Sequence, residues 1–422
     1  MSTENKNYTL PIAMMFALFF MVSFVTGLPS PMGIIVAKQF GASNFESQLG
    51  FLGNFLAYAF MGIPAGIMLK KWGYKTTALA AIAVGFTGVG VQFLSGQAQS
   101  FTVYLAGSFI SGFSMCMLNT VVNPMLNTLG GGGNSGNKLL QFGGSINSIG
   151  ATITPMLVGY LMGAEAGRTI EKANPALFLA LGIFALAFVV LSFVKIPEPH
   201  LQTSAERNVK HNHSPLSFRH FIFGAIAIFI YVGIEIGIPS TANLFMTASS
   251  SASNAGLGID ATTAGSIVGI YWLLMLVGRL IGASVGSKVS SKTMMITVSS
   301  LGLVFILLAI FSPLTTTITL PVIGTEVPIS ILFLILCGLC TSIMWGGIFN
   351  LAVEGLGKYT ASAAGIFMVM VCGGGIVPLI QGFVSDHVGY INSYWVMFAC
   401  LVYMMWYALV GCKNVNKDIP VE

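Results

Sequence analysis

Apolar stretches of about twenty residues, the length that crosses a hydrocarbon core of roughly 30 Å, recur from one end of this chain to the other. A backbone that crosses lipid must satisfy its own hydrogen bonds, so such stretches fold as helices. A scan with a window of about 19 residues predicts twelve spans, at 10–29, 49–69, 76–95, 101–127, 139–163, 175–195, 220–247, 262–286, 293–312, 328–353, 360–385 and 391–411. Charge is scarce between them. Lys and Arg number 18 and Asp and Glu 13, together 7% of 422 residues, against about 25% in soluble proteins. A water-soluble globule is excluded, and with 55% hydrophobic residues so is a disordered chain. Fifty glycines suit helices that must approach closely where lipid provides no hydrophobic drive for helix to meet helix. The first apolar run ends at Pro29 and Pro31 without an A-x-A cleavage pattern, so it is expected to remain as the first span.

The net charge of +5 gathers on no basic face, and nucleic acid is not an expected partner. The cations instead sort by side of the bilayer. With loops numbered alternately, 14 of the 18 Lys and Arg fall on the side of the termini and of the central loop; Lys38, Arg168 and Lys172 fall on the other, and Arg279 lies within a span. The positive-inside rule places both termini and the central loop in the cytoplasm, for a multi-pass protein of the inner membrane. The one long polar connection, Lys195 to Arg219, divides the chain into a six-span half at 1–196, a linker at 197–217 and a second half at 218–422. The six cysteines lie in or near apolar runs and read as packing. Cys337 and Cys340 form a CxxC without the second pair that a metal site needs, and no metal or cofactor is expected.

The halves match in order. Gly27-Leu28-Pro29-Ser30 recurs as Gly237-Ile238-Pro239-Ser240, Gly62-x-x-x-Gly66 as Gly278-x-x-x-Gly282, and Pro155-x-x-x-Gly159 as Pro378-x-x-x-Gly382, at offsets of 210, 216 and 223. Three matches in order at nearly constant offset indicate a duplicated six-helix unit, the construction of carriers that rock two halves about a central site.

Twelve spans, a six-plus-six duplication and a central cytoplasmic loop resemble the major facilitator superfamily. Local motifs resemble its fucose:proton symporter family, which also holds glucose/galactose and N-acetylglucosamine permeases. They are Phe24-Val25-Thr26-Gly27-Leu28, Gly62-Ile63-Pro64-Ala65-Gly66 before Lys70-Lys71-Trp72-Gly73-Tyr74-Lys75, Asn119-Thr120-Val121-Val122-Asn123-Pro124, Asn147-Ser148-Ile149-Gly150-Ala151, Tyr231-Val232-Gly233-Ile234-Glu235, Gly278-Arg279-Leu280-Ile281-Gly282 and Glu354-Gly355-Leu356-Gly357-Lys358. The resemblance implies an all-α membrane fold of twelve helices in two halves, and sugar uptake by cation symport. Fucose permeases carry an acid near the end of helix 1 and a Glu in helix 4; Ser30 and Asn119 stand at those places here. Neither fucose specificity nor proton coupling is therefore carried over. The resemblance retains Asn147 as a sugar ligand.

Few ionisable groups fall well inside a span. Glu235 and Arg279 do, and an ionised group at the bilayer centre costs about 2.5–3.5 kcal/mol or more, so each must face a cavity or a partner. Arg279 is placed nearer the cytoplasm than Glu235, which favours separate roles: Glu235 for coupling, through a proton that low dielectric favours or through sodium, and Arg279 for packing. A mutual ion pair is the alternative. Asn119, Asn123 and Asn127 are spaced to share one face of helix 4. The first two, with Gln141 and Asn147, are predicted sugar ligands, because amides donate and accept as sugar hydroxyls do; Asn127 reads as an interhelical contact. Tyr231, Tyr271 and Trp345 are predicted to stack on the sugar ring. Pro29 and Pro239, equivalent in the two repeats, are predicted to let helices 1 and 7 bend as a gate.

Gly130 to Lys138 lacks the lysine of a phosphate loop, so no nucleotide drives transport. The expected function is import of a neutral monosaccharide or amino sugar by a monomeric symporter coupled to protons or sodium. An exporter of drugs or metabolites on the same fold is the alternative, and an enzyme is not expected, since nucleophiles and acids do not cluster at depth.

Overall fold

The computed structural model describes residues 8–28, 39, 44–162, 170–199, 213–250, 255–320 and 323–421. Nearly all of it is helix: α1 Thr9–Gly27, α2 Asn44–Gln97, α3 Phe101–Leu129, α4 Gly133–Met162, α5 Asn174–Phe193, α6 Arg219–Thr247, α7 Ala261–Val285, α8 Ser291–Phe311, α9 Ile329–Thr341, α10 Met344–Val353, α11 Thr360–Val369, α12 Gly373–Val388 and α13 Tyr394–Trp406. Among the described residues, ten helical stretches are long and apolar enough to cross a membrane. One of them, Leu52–Gln97, has 46 residues, enough for two crossings. The more polar α4, of 30 residues, runs where the fifth span is expected. With these, the helix order follows the order of the predicted spans.

Local chemistry sets the boundaries. Ser100, Asp260 and Ser290 cap α3, α7 and α8 by accepting from the N–H groups of Val103, Thr263 and Thr293. Inside α2 the backbone leaves helical geometry at Gly73, and Glu198 satisfies the restart: its carboxylate accepts from the N–H groups of Tyr74 and Lys75, while Lys75 Nζ donates to Ser192 O at 2.7 Å. The side chains of Phe178, Leu186 and Phe193 on α5, and of Phe311 and Phe383, stand exposed. Lipid is the solvent that accepts such a surface without cost.

The structure departs from the span reading in three places. The predicted 328–353 span breaks at Ser342–Ile343, between α9 and α10. The 360–385 span is interrupted by a tighter turn at Met370–Cys372. The connection before α9 carries a two-stranded antiparallel hairpin, β1 Thr317–Thr319 with β2 Glu326–Pro328, in which Ile318 faces Val327.

The chain divides into two compact units. The first comprises 1–215, 356–369 and 420–422, and thus α1 to α5 together with α11, which packs on α2. The second comprises 216–355 and 370–419, holding α6 to α10, α12 and α13.

Candidate functional site

Each unit contains a buried polar cluster. In the second, Glu235 on α6 meets Arg279 on α7: Arg279 Nη2 lies 3.1 Å from Glu235 Oε1. Arg279 Nε donates to Ser342 O at 3.0 Å, a carbonyl at the break between α9 and α10. One guanidinium thus neutralises a carboxylate and satisfies an interrupted helix with two edges of a planar fork. Gly278 permits this approach, because a Cβ there would collide with Ser342 Oγ. Tyr231, one turn before Glu235, has a fully buried hydroxyl beside the Glu235 carboxylate and the Arg279 guanidinium, and its ring lies 6.3 Å from that of Trp345 at 60°. Tyr271 is also buried. Its hydroxyl donates to Glu235 O at 3.2 Å and lies 3.0 Å from Thr341 Oγ1.

The first unit gathers neutral groups. Asn119 Nδ2 donates to Tyr58 Oη at 3.0 Å, joining α3 to α2, and Asn123 Nδ2 donates to Asn119 O at 2.8 Å, within its own helix. Gln141 Nε2 bonds Asn137 Oδ1 at 3.3 Å, one turn back on α4. Asn147, half-buried, donates to Phe19 O at 3.1 Å and so ties α4 to α1. Among the described residues, no group of three or more His, Cys, Asp and Glu is placed to hold a metal ion.

The model of the Major Facilitator Superfamily matches residues 14–378. The chain belongs to that superfamily. It is a multi-pass membrane transporter and not an enzyme. The glucose/galactose transporter of Brucella abortus biovar 1 is 26% identical over 417 residues, covering 98% of this chain and 97% of that protein. The L-fucose-proton symporter of Escherichia coli is 24% identical over 414 residues, covering 92% and 90%. Among solved structures, the crystal structure of the transporter FucP in the outward conformation aligns with a TM-score of 0.79 over 95% of this chain and 98% of that one, at 21% identity, a likeness of fold.

Within this major facilitator chain, the predicted residues fall into distinct circumstances. Glu235 and Arg279 are not separated by depth as expected; they form the ion pair that stood as the alternative, because the long arginine side chain spans the offset between neighbouring helices. Asn123 and Gln141 are buried and bonded within their own helices, and the hydroxyl of Tyr271 is turned toward protein groups. Asn147 and Trp345 keep part of their surface open. Pro239 lies within α6, while Pro29 lies outside the described residues. Sequence reasoning missed Tyr58, Thr341 and Ser342. Tyr58 stands 61 residues from its partner Asn119, and no spacing rule links them.

Proposed function

We propose that this chain imports a neutral monosaccharide or amino sugar by proton symport, as a monomer of the inner membrane with both termini in the cytoplasm. The observation that carries the reading is a largely buried Glu235–Arg279 pair inside a chain whose full-length relatives bear the names glucose/galactose transporter and L-fucose-proton symporter. Burying two charges costs several kcal/mol per ion before their attraction offsets it, on the order of what membrane insertion charges for each. A pair kept at that cost suits a group whose charge changes during the cycle.

The pairing favours a proton over sodium. A sodium ion on Glu235 would sit beside the Arg279 guanidinium, 3.1 Å from the same carboxylate, and like charges at such range repel strongly where the dielectric is low. A proton neutralises Glu235 and frees Arg279 without placing a second cation there. With Ser30 and Asn119 where fucose permeases hold acids, coupling falls to Glu235. In the first unit, Asn119 and Asn147 are the proposed sugar ligands, with Asn123 and Gln141 holding the amide face; in the second, Trp345 provides a stacking face and Tyr231 a hydroxyl. Pro239 is the proposed flexing point of α6.

Reconstitution into proteoliposomes, with a panel of labelled monosaccharides and amino sugars under imposed proton or sodium gradients, tests the reading. One sugar should accumulate with an inward proton gradient, and Glu235→Gln should exchange that sugar without accumulating it. Accumulation driven by sodium alone overturns proton coupling, and wild-type accumulation by Glu235→Gln removes that residue from the role. If no sugar in the panel moves while apolar dyes are extruded, the chain is an exporter.

A further inference from the structure

Pro239 has no N–H, so in α6 the carbonyl four residues earlier, that of Glu235, has lost its helical donor. An unsatisfied carbonyl inside a membrane bundle is costly. The Tyr271 hydroxyl stands in for it, donating to Glu235 O at 3.2 Å. Thr341 Oγ1 lies 3.0 Å from the same phenolic oxygen and is also within hydrogen-bond reach of Cys337 O, at 3.2 Å, in its own helix. Tyr271 and Thr341 are each 1% exposed. Arg279, two turns further along α7, holds the side chain of the same glutamate. Helix α7 therefore grips residue 235 twice, at the backbone through Tyr271 and at the carboxylate through Arg279. Both gripping side chains also hold the α9–α10 break, at Thr341 and Ser342.

We infer that Tyr271 is a positioning residue, a replacement donor for the one removed by Pro239, which fixes the place of Glu235 opposite Arg279. It is thereby not a sugar ligand. The inference makes two helix interruptions interdependent: the missing donor in α6 and the break between α9 and α10 are satisfied from one helix, so neither is relieved without α7.

The test is a double-mutant cycle of Tyr271→Phe and Pro239→Ala, each variant purified in detergent for thermal unfolding and reconstituted for sugar uptake across a pH series. With Pro239 in place, Tyr271→Phe should lower kcat/KM by roughly two- to tenfold, the range of one net hydrogen bond, and move the midpoint of the pH profile. In the Pro239→Ala background the restored N–H satisfies Glu235 O, so the same change should cost under about twofold, and the midpoint should stay in place. The unfolding midpoint should show the same non-additivity. Additive effects in unfolding overturn the inference, as does a Tyr271→Phe defect confined to KM for sugar with the pH profile unmoved, the mark of a ligand. If Tyr271→Phe alone fails to fold, Pro239→Ala should rescue it; failure of the double variant as well overturns the inference. The transport arm rests on Glu235 as the coupling group. Wild-type accumulation in Glu235→Gln together with a non-additive unfolding cycle would remove the coupling reading and leave the replacement donor standing.

Discussion

The same glycine pattern occupies equivalent places in the two repeats, yet Gly62-x-x-x-Gly66 and Gly278-x-x-x-Gly282 meet different neighbours. A Cβ on Gly62 would lie 2.5 Å from Val369 N and 2.7 Å from Gly365 O, so this face of α2 is pressed against backbone of α11. A Cβ on Gly278 would meet the side chain of Ser342 first, and one on Gly282 would meet Ile343 Cγ2 at 2.5 Å, both at the break between α9 and α10. One pair closes two helices together; the other seats a helix interruption beside a charged residue. Their polar surroundings differ in the same sense. The first unit offers Tyr58 and the asparagines, all neutral, and the second an ion pair. At both glycine pairs helices approach their neighbours closely, while the chemistry lodged beside those approaches differs.

The strongest break in that comparison is Arg279→Ala. Removing one partner of a buried pair strands the other charge and commonly costs about 3–5 kcal/mol, against about 1–3 kcal/mol for stranding a neutral group. Arg279→Ala is therefore expected to lower the unfolding midpoint far more than Asn119→Ala, which strands only the Tyr58 hydroxyl. Equal shifts in differential scanning fluorimetry would mean that Glu235 neutralises itself by taking up a proton when its partner is lost. Adding Glu235→Gln to Arg279→Ala should recover much of the loss, which separates the stranded charge from the missing side-chain volume.

The glycines follow. Overpacking costs typically 1–3 kcal/mol, and its size depends on whether the neighbour yields. Gly62→Ala presses on backbone and is expected near the upper end; Gly278→Ala presses on Ser342, whose Oγ can rotate away although its Cβ, 2.6 Å off, cannot, and is expected somewhat below it. Gly62→Ala should also reduce uptake, because α11 must stay close to α2. A reversed ranking in thermal unfolding would place the rigid contact in the second unit.

The spans were legible because lipid imposes a length and a hydropathy that any window detects, and the caps at Ser100, Asp260 and Ser290 confirm how locally helix ends are written. The break at Ser342–Ile343 was not. It carries only Thr341-Ser342 in a long apolar run with no proline near it, a pair that continuous membrane helices also hold, and it is held by a guanidinium 63 residues away in sequence. The Glu235–Arg279 contact was visible as an alternative, but ranking it by depth along separate helices ignored the reach of arginine. That α11 packs with α2 is a fact of tertiary contact, since residues 360–369 read as the start of one continuous span. The hairpin at 317–328 is short enough that its register depends on a turn rather than on a pattern.

The smallest expected effect on stability belongs to Asn147→Ala, and there stability and binding should part. Its amide donates to Phe19 O, a carbonyl inside α1 that its own helix already engages, so the variant loses one interhelical hydrogen bond of about 0.6 kcal/mol and strands nothing. The side chain is only half-buried, and its amide oxygen has no hydrogen-bond donor among the described residues. If that oxygen receives a sugar hydroxyl, affinity measured by calorimetric titration should fall by about 1–3 kcal/mol, well beyond the change in unfolding. Asn123→Ala, whose amide is turned to Asn119 O, should do the opposite, lowering the unfolding midpoint with less effect on affinity. Unchanged affinity in Asn147→Ala would confine that residue to joining α4 and α1, and would leave the first unit with Asn119 as its sugar ligand.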